Sequence, residues 1–248
     1  MYDQDDDLGF TELASQILET GYDGVLLTPL FQKEAKGFVR SLDAANIPYV
    51  FVDSMIEGTN PLCSISQDDF QSGALAAKLI DYGLVHDDEL LSISNLKYAD
   101  NFELVQERSN GFKSFFETKK KDKRVIHSLE IVHPKYEKLA TLLMEKLKQL
   151  PKIKGIFIDN SKAHWVARFL NENSISTISL VGFDLIEQNI KYLQNGIIDF
   201  ILFDDAEKQG ELGLQILFDH VVKKKTTATR ITMPINIVTK ENLDGFLL

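Results

Sequence analysis

The chain has little cysteine and no long apolar run, and both shortages exclude classes of protein. A single cysteine, Cys63, rules out an internal disulfide and argues against a cysteine-based zinc site. No apolar run approaches the roughly 18 residues that a membrane-spanning helix needs. The aspartate-rich start, residues 1–7, does not have the pattern of a signal peptide. We therefore expect a globular protein of a reducing, cytoplasmic compartment.

Acidic residues outnumber basic residues in this chain. The chain has 27 Lys and Arg against 37 Asp and Glu, which gives a formal net charge of −10. Nucleic-acid surfaces need clustered Lys and Arg to neutralise phosphates. The two basic runs, 119–124 and 223–225, each end a predicted helix, where cations favour the helix dipole. We interpret them as solvated helix ends and expect no DNA-binding surface in this chain.

Sequence motifs of common enzymes are missing too. The chain contains no Gly-x-Gly-x-x-Gly, no Gly-x-x-x-x-Gly-Lys-Ser/Thr and no Gly-x-Ser-x-Gly. The carboxylates could supply a glycosidase pair, but nothing in the sequence selects two of them. The histidines do not pair at metal-ligand spacing; they are His86, His127, His133, His164 and His220. The sequence therefore predicts no cofactor, no metal and no catalysis.

Short apolar runs alternate with helical patterns along almost the whole chain. There are about nine such runs, and they are continuously apolar, which is typical of strands in parallel sheets covered on both faces. This pattern predicts an α/β protein with two doubly wound parallel-sheet lobes. The alternative, an α/β barrel, would need eight evenly spaced units. We predict an N-terminal lobe of residues 1–86 and 205–229 and a C-terminal lobe of residues 87–204 and 230–248, with the first crossing near 85–88 and one closing strand at 231–238.

The most informative stretch ends at Asp184. An apolar run, 178–181, leads into Gly182 and Phe183, and a helical pattern follows the aspartate. In open α/β sheets, ligands bind at the carboxyl ends of strands, where Asp184 would stand. Asp53 ends another predicted strand in the same way. The alternative is structural, because a carboxylate after a strand is also a common helix N-cap.

Several short motifs occur in an order that identifies a family. They are Gly21-Tyr22-Asp23-Gly24 with Pro29, Asp68 with Gly73, Arg108-Ser109-Asn110-Gly111-Phe112, Ile158-Asp159-Asn160-Ser161, Val181-Gly182-Phe183-Asp184, Gln209-Gly210 and the tail 237–243. With these motifs, the chain resembles the effector-binding domain of the LacI/GalR transcriptional regulators. Those regulators have the type 1 periplasmic-binding-protein fold.

The chain departs from the family pattern in two respects. The family's first strand and helix, and its DNA-binding headpiece, have no counterpart in this sequence. A truncation, a mis-assigned start or a real deletion would explain this, and an N-terminal lobe without its first strand would expose an unpaired sheet edge. In addition, Ser161 stands where the family usually has Asp, and Asp204 stands where it often has Gln.

The resemblance places a ligand between the two lobes, surrounded by polar side chains. The implied ligand-binding residues are Asp68, Arg108, Asn160, Asp184 and Asp204, and the aromatic candidates for stacking on a sugar are Phe183, Tyr136 and Trp165. Carboxylates accept from sugar hydroxyls, and arginine and asparagine donate to them. Several carboxylates beside one arginine favour a neutral sugar over an anion. The alternatives are helix caps for Asp68, Asn160 and Asp184, a surface position for Arg108, a solvated turn for Asp204 and a core position for Trp165.

The function that the resemblance implies is sensing. A small neutral sugar would close the lobes, change the geometry of a homodimer and thereby move DNA-binding heads that this chain lacks. Contact with DNA would run only through such a headpiece, and no membrane would be involved. The alternative is a periplasmic sugar-binding receptor of an ABC transporter, which has the same fold.

Overall fold

Strands and helices alternate in the computed structural model, which describes residues 7–96, 102–119, 124–132 and 135–247. The helices are α1 (Asp7–Thr20), α2 (Gln32–Ala44), α3 (Asp69–Asp81), α4 (Phe102–Thr118), α5 (Tyr136–Gln149), α6 (Ala163–Glu172), α7 (Glu187–Gln194) and α8 (Ala206–Val221). The strands are β1 (Val25–Leu27), β2 (Tyr49–Val52), β3 (Cys63–Ser66), β4 (Glu89–Leu96), β5 (Ile126–Val132), β6 (Ile153–Ile158), β7 (Ser179–Phe183), β8 (Phe200–Phe203), β9 (Arg230–Thr232) and β10 (Asn236–Val238). Within these ranges, no helix is both long and apolar enough to span a membrane.

The chain divides into two compact units. The first unit comprises Met1–Gln67 and Asp204–Pro234, and the second comprises Asp68–Phe203 and Ile235–Leu248. The predicted first crossing, near 85–88, is wrong, because α3 packs against α4 and so belongs to the second unit. The predicted last crossing, after residue 229, is also displaced, and Asp204 falls in the first unit instead of the second.

The first unit contains a parallel sheet in the order β1-β2-β3-β9. Successive side chains of a strand point to opposite faces. Tyr49 and Phe51 of β2 therefore pack with α1 and α2, while Val50 packs with α8 on the other face. Cys63 of β3 is fully buried, and its burial raises the pKa of the thiol. Helices thus cover both faces of this sheet, as the continuous apolar runs predict.

The predicted closing strand, 231–238, is in fact two strands. β9 ends at Thr232 and pairs with β3 in the first unit, whereas β10 begins at Asn236 and pairs with β8 in the second. Pro234 lies between them and has no N–H to donate to a sheet. The apolar pattern runs through this break, which is why periodicity alone predicts one strand.

The second unit contains a sheet in the order β10-β8-β7-β6-β4-β5. Its pairs are parallel except for β10, which runs antiparallel to β8 at one edge. Helices α5, α6 and α7 pack on one face, and α3 and α4 pack on the other. Two open sheets with helices on both faces exclude the α/β barrel and confirm the predicted α/β class.

Candidate functional site

The carboxyl ends of β6 and β7 carry two of the predicted ligand residues, Asn160 and Asp184. Asp159 and Asn160 follow β6, and Asp184 follows β7, the neighbouring strand in the sheet. Because these two strands are parallel, their carboxyl ends lie at the same edge. This is the edge where open α/β sheets bind ligands.

Two glycines allow the helices α3 and α4 to pack closely beside this edge. A Cβ at Gly73 of α3 would lie 1.8 Å from the carbonyl oxygen of Arg108, and a Cβ at Gly111 of α4 would lie 1.9 Å from that of Phe70. Only glycine permits so close an approach of two helix backbones. The approach sets Asp69 of α3 beside Arg108 of α4, which explains why both motif glycines occur near the candidate site.

Arg108 is held from three directions. Its Nε donates to Asp69 Oδ1 at 2.7 Å, and one terminal nitrogen donates to the backbone carbonyl of Asp159 at 3.2 Å. Its guanidinium carbon lies 4.2 Å from the ring centroid of Phe183. Arg108 is therefore a positioned, half-buried group, and the alternative of a surface helix arginine is wrong.

Phe183 does not fit the predicted role in sugar stacking. It is 1% exposed, and it packs at 6.0 Å, edge to face, on Phe157 in the core. Stacking on a sugar needs an accessible ring face, and here the guanidinium of Arg108 lies over the ring. Phe183 instead contributes to holding Arg108 by a cation–π contact.

Asp159 is the most deeply buried carboxylate of the site, with 1% of its surface exposed. One carboxylate oxygen accepts from Ser94 Oγ at 2.5 Å and from Ser109 Oγ at 3.1 Å. The other accepts from Asn160 Nδ2 at 3.0 Å. Burial raises the pKa of Asp159 to about 6, against the lowering effect of the serine hydrogen bonds and of the Arg108 charge.

Asn160 bridges this network to the start of α6. Its Oδ1 accepts from the backbone N–H of Lys162 at 3.0 Å, while its Nδ2 donates to Asp159. The contact with Lys162 is an Asx turn that precedes α6. The N-cap of α6 is Lys162, and its side chain makes no capping hydrogen bond, so the alternative of a helix cap for Asn160 is wrong. Asn160 is part of the polar cluster, and its role in ligand binding stays a prediction.

Asp184 adopts an uncommon backbone conformation with a φ of 69°. This left-handed region costs a non-glycine residue roughly 1 kcal/mol. Surrounding contacts hold it there: its N–H donates to the carbonyl of Leu202, and its carbonyl accepts from Asn189 Nδ2, both at 2.9 Å. Strained backbone of this kind concentrates at functional sites.

Asn189 organises the loops around Asp184. Its side chain is fully buried and donates to the carbonyls of Ser161, Phe183 and Asp184 at 2.9–3.1 Å. Its Oδ1 accepts from the backbone N–H of His164 at 2.8 Å. One amide thus ties the loop after β6 to the loop after β7.

The remaining predicted ligand residues have defined partners. Asp68 is the N-cap of α3, where its Oδ1 accepts from the Gln71 N–H at 2.9 Å. Asp204, in the first unit, accepts from Gln209 Nε2 at 2.5 Å. Gln209 in turn accepts from the N–H of Asp53 at 2.7 Å, and Asp53 has a φ of 70°. The first unit therefore has its own polar network after β2.

Tyr136 and Trp165 lie on the sheet face that α5–α7 cover. Tyr136 donates its hydroxyl to Glu172, and Arg168 stacks over its ring at 3.8 Å. Trp165 is partly buried against the core of the second unit, with Lys162 Nζ 5.5 Å from its ring. The core alternative for Trp165 thus agrees with the structure, and the stacking role of both residues stays a prediction.

Sequence reasoning missed Asp69, Asp159 and Asn189. Asp69 and Asp159 each stand next to a residue that the motifs do mark, Asp68 and Asn160. Their partners lie 39 to 65 residues away, so local spacing gives no sign of the contacts. Across the described ranges, no three His, Cys, Asp or Glu side chains cluster as metal ligands would.

A protein-family profile, described as the periplasmic binding protein domain, matches residues 1–225. No curated protein has a significant sequence match. Among solved structures, a protein assigned as a LacI transcriptional regulator from Bacteroides fragilis is 28% identical with a TM-score of 0.88. The match covers 98% of this chain and 84% of that one.

Sugar-binding proteins of transport systems are also similar. GanP, a glucose-galactose binding protein from Geobacillus stearothermophilus, is 19% identical with a TM-score of 0.79, over 94% of this chain and 82% of that one. An Agrobacterium vitis ABC transporter solute binding protein, bound with α-D-tagatopyranose, is 22% identical with a TM-score of 0.78, over 94% and 80%. These likenesses support the type 1 periplasmic-binding-protein fold, and the profile match over most of the chain shows that it belongs to the periplasmic binding protein domain family.

Proposed function

We propose that this chain is the ligand-sensing domain of a bacterial transcriptional regulator and that its ligand is a small neutral sugar. The observation that carries the proposal is the cluster of Arg108, Asp159, Asn160 and Asp184 at the carboxyl ends of β6 and β7. Carboxylates that accept and guanidinium or amide groups that donate match the hydroxyls of a sugar. Solved relatives with bound sugars support this ligand class.

The charge of the cluster favours a neutral ligand. The guanidinium of Arg108 is paired with the carboxylate of Asp69 at 2.7 Å. Arg108 also contacts the backbone carbonyl of Asp159, and Asp184 directly follows Phe183, whose ring lies under the guanidinium. A phosphate or a sugar acid would bring another negative charge to a group that already has more carboxylates than cations. Asp68 and Asp204 remain proposed members of the site.

The regulator assignment is supported by the order of motifs and by the similarity to the Bacteroides fragilis protein. It includes a cytoplasmic location, a homodimer, and DNA contact through a headpiece outside this chain. The second candidate is a periplasmic receptor of an ABC sugar transporter, which the similarity to several such receptors favours. Sedimentation of the purified chain would test the homodimer, and DNA binding by the full gene product would separate the two candidates.

A thermal-shift screen tests the ligand class. We expect a neutral sugar at 100 times its dissociation constant to stabilise the chain by about 2.7 kcal/mol, while sugar acids, phosphates and nucleobases do not. Arg108→Ala and Asp184→Ala should abolish the shift, because each removes a proposed contact with the sugar. Calorimetric titration would then give the affinity.

Arg168→Ala is the matched control. Arg168 is also a helix arginine of the second unit with a carboxylate partner, Glu172, but its side chain is 50% exposed and it lies on α6. It should leave the sugar-induced shift unchanged. Stabilisation by anionic ligands alone, or equal loss of the shift in Arg168→Ala, would contradict the proposal.

A further inference from the structure

We infer that Asp159 is a positioning residue of the proposed sugar site, whose carboxylate orients the amide of Asn160 and whose backbone carbonyl holds the guanidinium of Arg108. This inference rests on the proposed function. Neither the motifs nor the resemblance gives Asp159 a role, because the family pattern marks the residue that follows it.

The orientation of Asn160 follows from the chemistry of its two partners. An ionised carboxylate only accepts hydrogen bonds, and a backbone N–H only donates. The Nδ2 of Asn160 must therefore face Asp159 and its Oδ1 must face the N–H of Lys162. If the amide were flipped, its Nδ2 would face the N–H of Lys162, a donor against a donor. Its Oδ1 would face the carboxylate of Asp159, an acceptor against an acceptor.

The carboxylate also ties three elements together. Ser94 lies on β4, Ser109 lies on α4 and Asp159 follows β6, and both hydroxyls donate to the same carboxylate oxygen. Ser109 is next to Arg108, so this contact and the bond from Arg108 to the Asp159 carbonyl fix the same turn of α4. Movement of Asp159 would therefore displace both proposed hydrogen-bond donors to the ligand, Arg108 and Asn160.

Stability alone does not account for a carboxylate at this position. The group is 1% exposed, and its contacts are two hydroxyls and an amide. Burial of an ionised group is unfavourable, and accordingly the pKa of Asp159 is raised to about 6. The charged groups near this region include Arg108 from α4, Asp69, paired with it, from α3, and Asp184 after the neighbouring strand β7.

The raised pKa of Asp159 predicts that stability and sugar affinity change in opposite directions with pH. The unfolded chain ionises this carboxyl at its ordinary pKa, below the folded value, so the group favours folding in acid and ceases to do so as pH rises through about 6. Sugar affinity should run the other way. A serine hydroxyl can reverse to accept the proton of the neutral carboxyl. The amide N–H of Asn160 only donates and loses its charged acceptor, so the hold of Asp159 on Asn160 weakens.

The experiment compares wild type with Asp159→Asn by calorimetric titration from pH 5 to pH 8, using the neutral sugar found in the screen. At pH 8 the variant should bind about tenfold more weakly while its melting temperature equals or exceeds that of wild type. Wild-type affinity should fall below pH 6, and the affinity of the variant should not change with pH. Parallel loss of stability and affinity, or unchanged affinity, would overturn the inference.

Asp199→Asn is the control. Asp199 also accepts from a serine hydroxyl, Ser179 Oγ at 2.8 Å, and from the N–H of Leu180 at 2.7 Å, but it directly precedes β8 and its partners are at the amino end of β7. It should leave the affinity and its pH profile unchanged.

A second measurement does not need a ligand. In wild type, the side-chain amide resonances of Asn160 should shift with pH in step with the carboxyl carbon of Asp159, with a midpoint near pH 6. Amide resonances that do not follow the carboxyl carbon would refute the inference. Failure of every sugar to bind would count against the proposed function alone, since the coupled titration can still be observed.

Discussion

At the scale of residues, the polar side chains of the second unit do more than one task. Asn160 forms a turn before α6 and completes the cluster around Asp159. Asp184 combines a left-handed backbone with a position at the end of β7. Neither residue caps the helix that follows it, which is the structural alternative for both. Their role in ligand binding stays a prediction.

Asn189→Ala should be strongly destabilising. The substitution leaves the backbone carbonyls of Phe183 and Asp184 and the N–H of His164 without the side-chain partner that each now has. We expect a loss of about 2–4 kcal/mol in the free energy of unfolding, measured by urea denaturation.

The control for this prediction is Asn173→Ala. Asn173 also donates its amide to a backbone carbonyl, that of Phe169 at 2.8 Å, but it is exposed at the end of α6. Its loss should be below about 1 kcal/mol. Equal losses of unfolding free energy in Asn189→Ala and Asn173→Ala would show that burial of the Asn189 amide does not increase its contribution to stability.

Sequence reasoning at this scale identifies residues that belong to a local motif. Arg108, Asn160 and Asp184 each stand at a recognisable strand end or helix motif; Asn160 and Asp184 follow neighbouring strands of one sheet, and Arg108 contacts the backbone carbonyl of Asp159. Asn189 carries no such mark, because an asparagine within a short amphipathic helix is unremarkable until its partners are known. The failure for Phe183 has a physical cause as well: an aromatic before a strand-end carboxylate can point into the core.

At the scale of elements, the close contact of α3 and α4 determines where Arg108 stands. Gly73 and Gly111 allow the two helix backbones to meet, and each motif glycine faces a backbone carbonyl of the other helix. The sequence motifs include both glycines. They give no sign that the two helices pack on each other, since the contact depends on the absence of two side chains.

Gly111→Ala should therefore force the helices apart. The added methyl would lie 1.9 Å from the Phe70 carbonyl oxygen, which is backbone and has little room to move. We expect a loss of about 3 kcal/mol of stability, measured by denaturation, and weaker sugar binding because Arg108 moves with α4.

Gly37→Ala serves as the matched substitution. Gly37 is an exposed position within α2, and no atom lies within 4 Å of the Cβ it would gain. Alanine there should add about 0.5–1 kcal/mol to stability through its helix propensity. A destabilisation as large as that of Gly111→Ala would mean that the close contact with Phe70 does not explain the loss at Gly111.

At the scale of the whole molecule, the periodicity predicts two parallel-sheet units but not where the chain passes between them. The first boundary lies before α3, not after it, and the last lies at Pro234, within a run that reads as one strand. Both errors arise because apolar spacing reports that a segment is buried, not which sheet it joins. Unit membership is decided by long-range packing, such as that of α3 on α4.

The sole cysteine and the sole tryptophan fall in different units. Cys63 is buried in β3 of the first, and Trp165 packs on the core of the second. Wild-type protein thus carries two native probes: the rate of thiol labelling follows opening of one unit, and indole fluorescence follows the other. A sugar that contacts the first unit should slow the labelling of Cys63, and a sugar that contacts the second unit should shift the fluorescence transition to higher urea. A change confined to the indole signal would limit the ligand's contacts to the second unit.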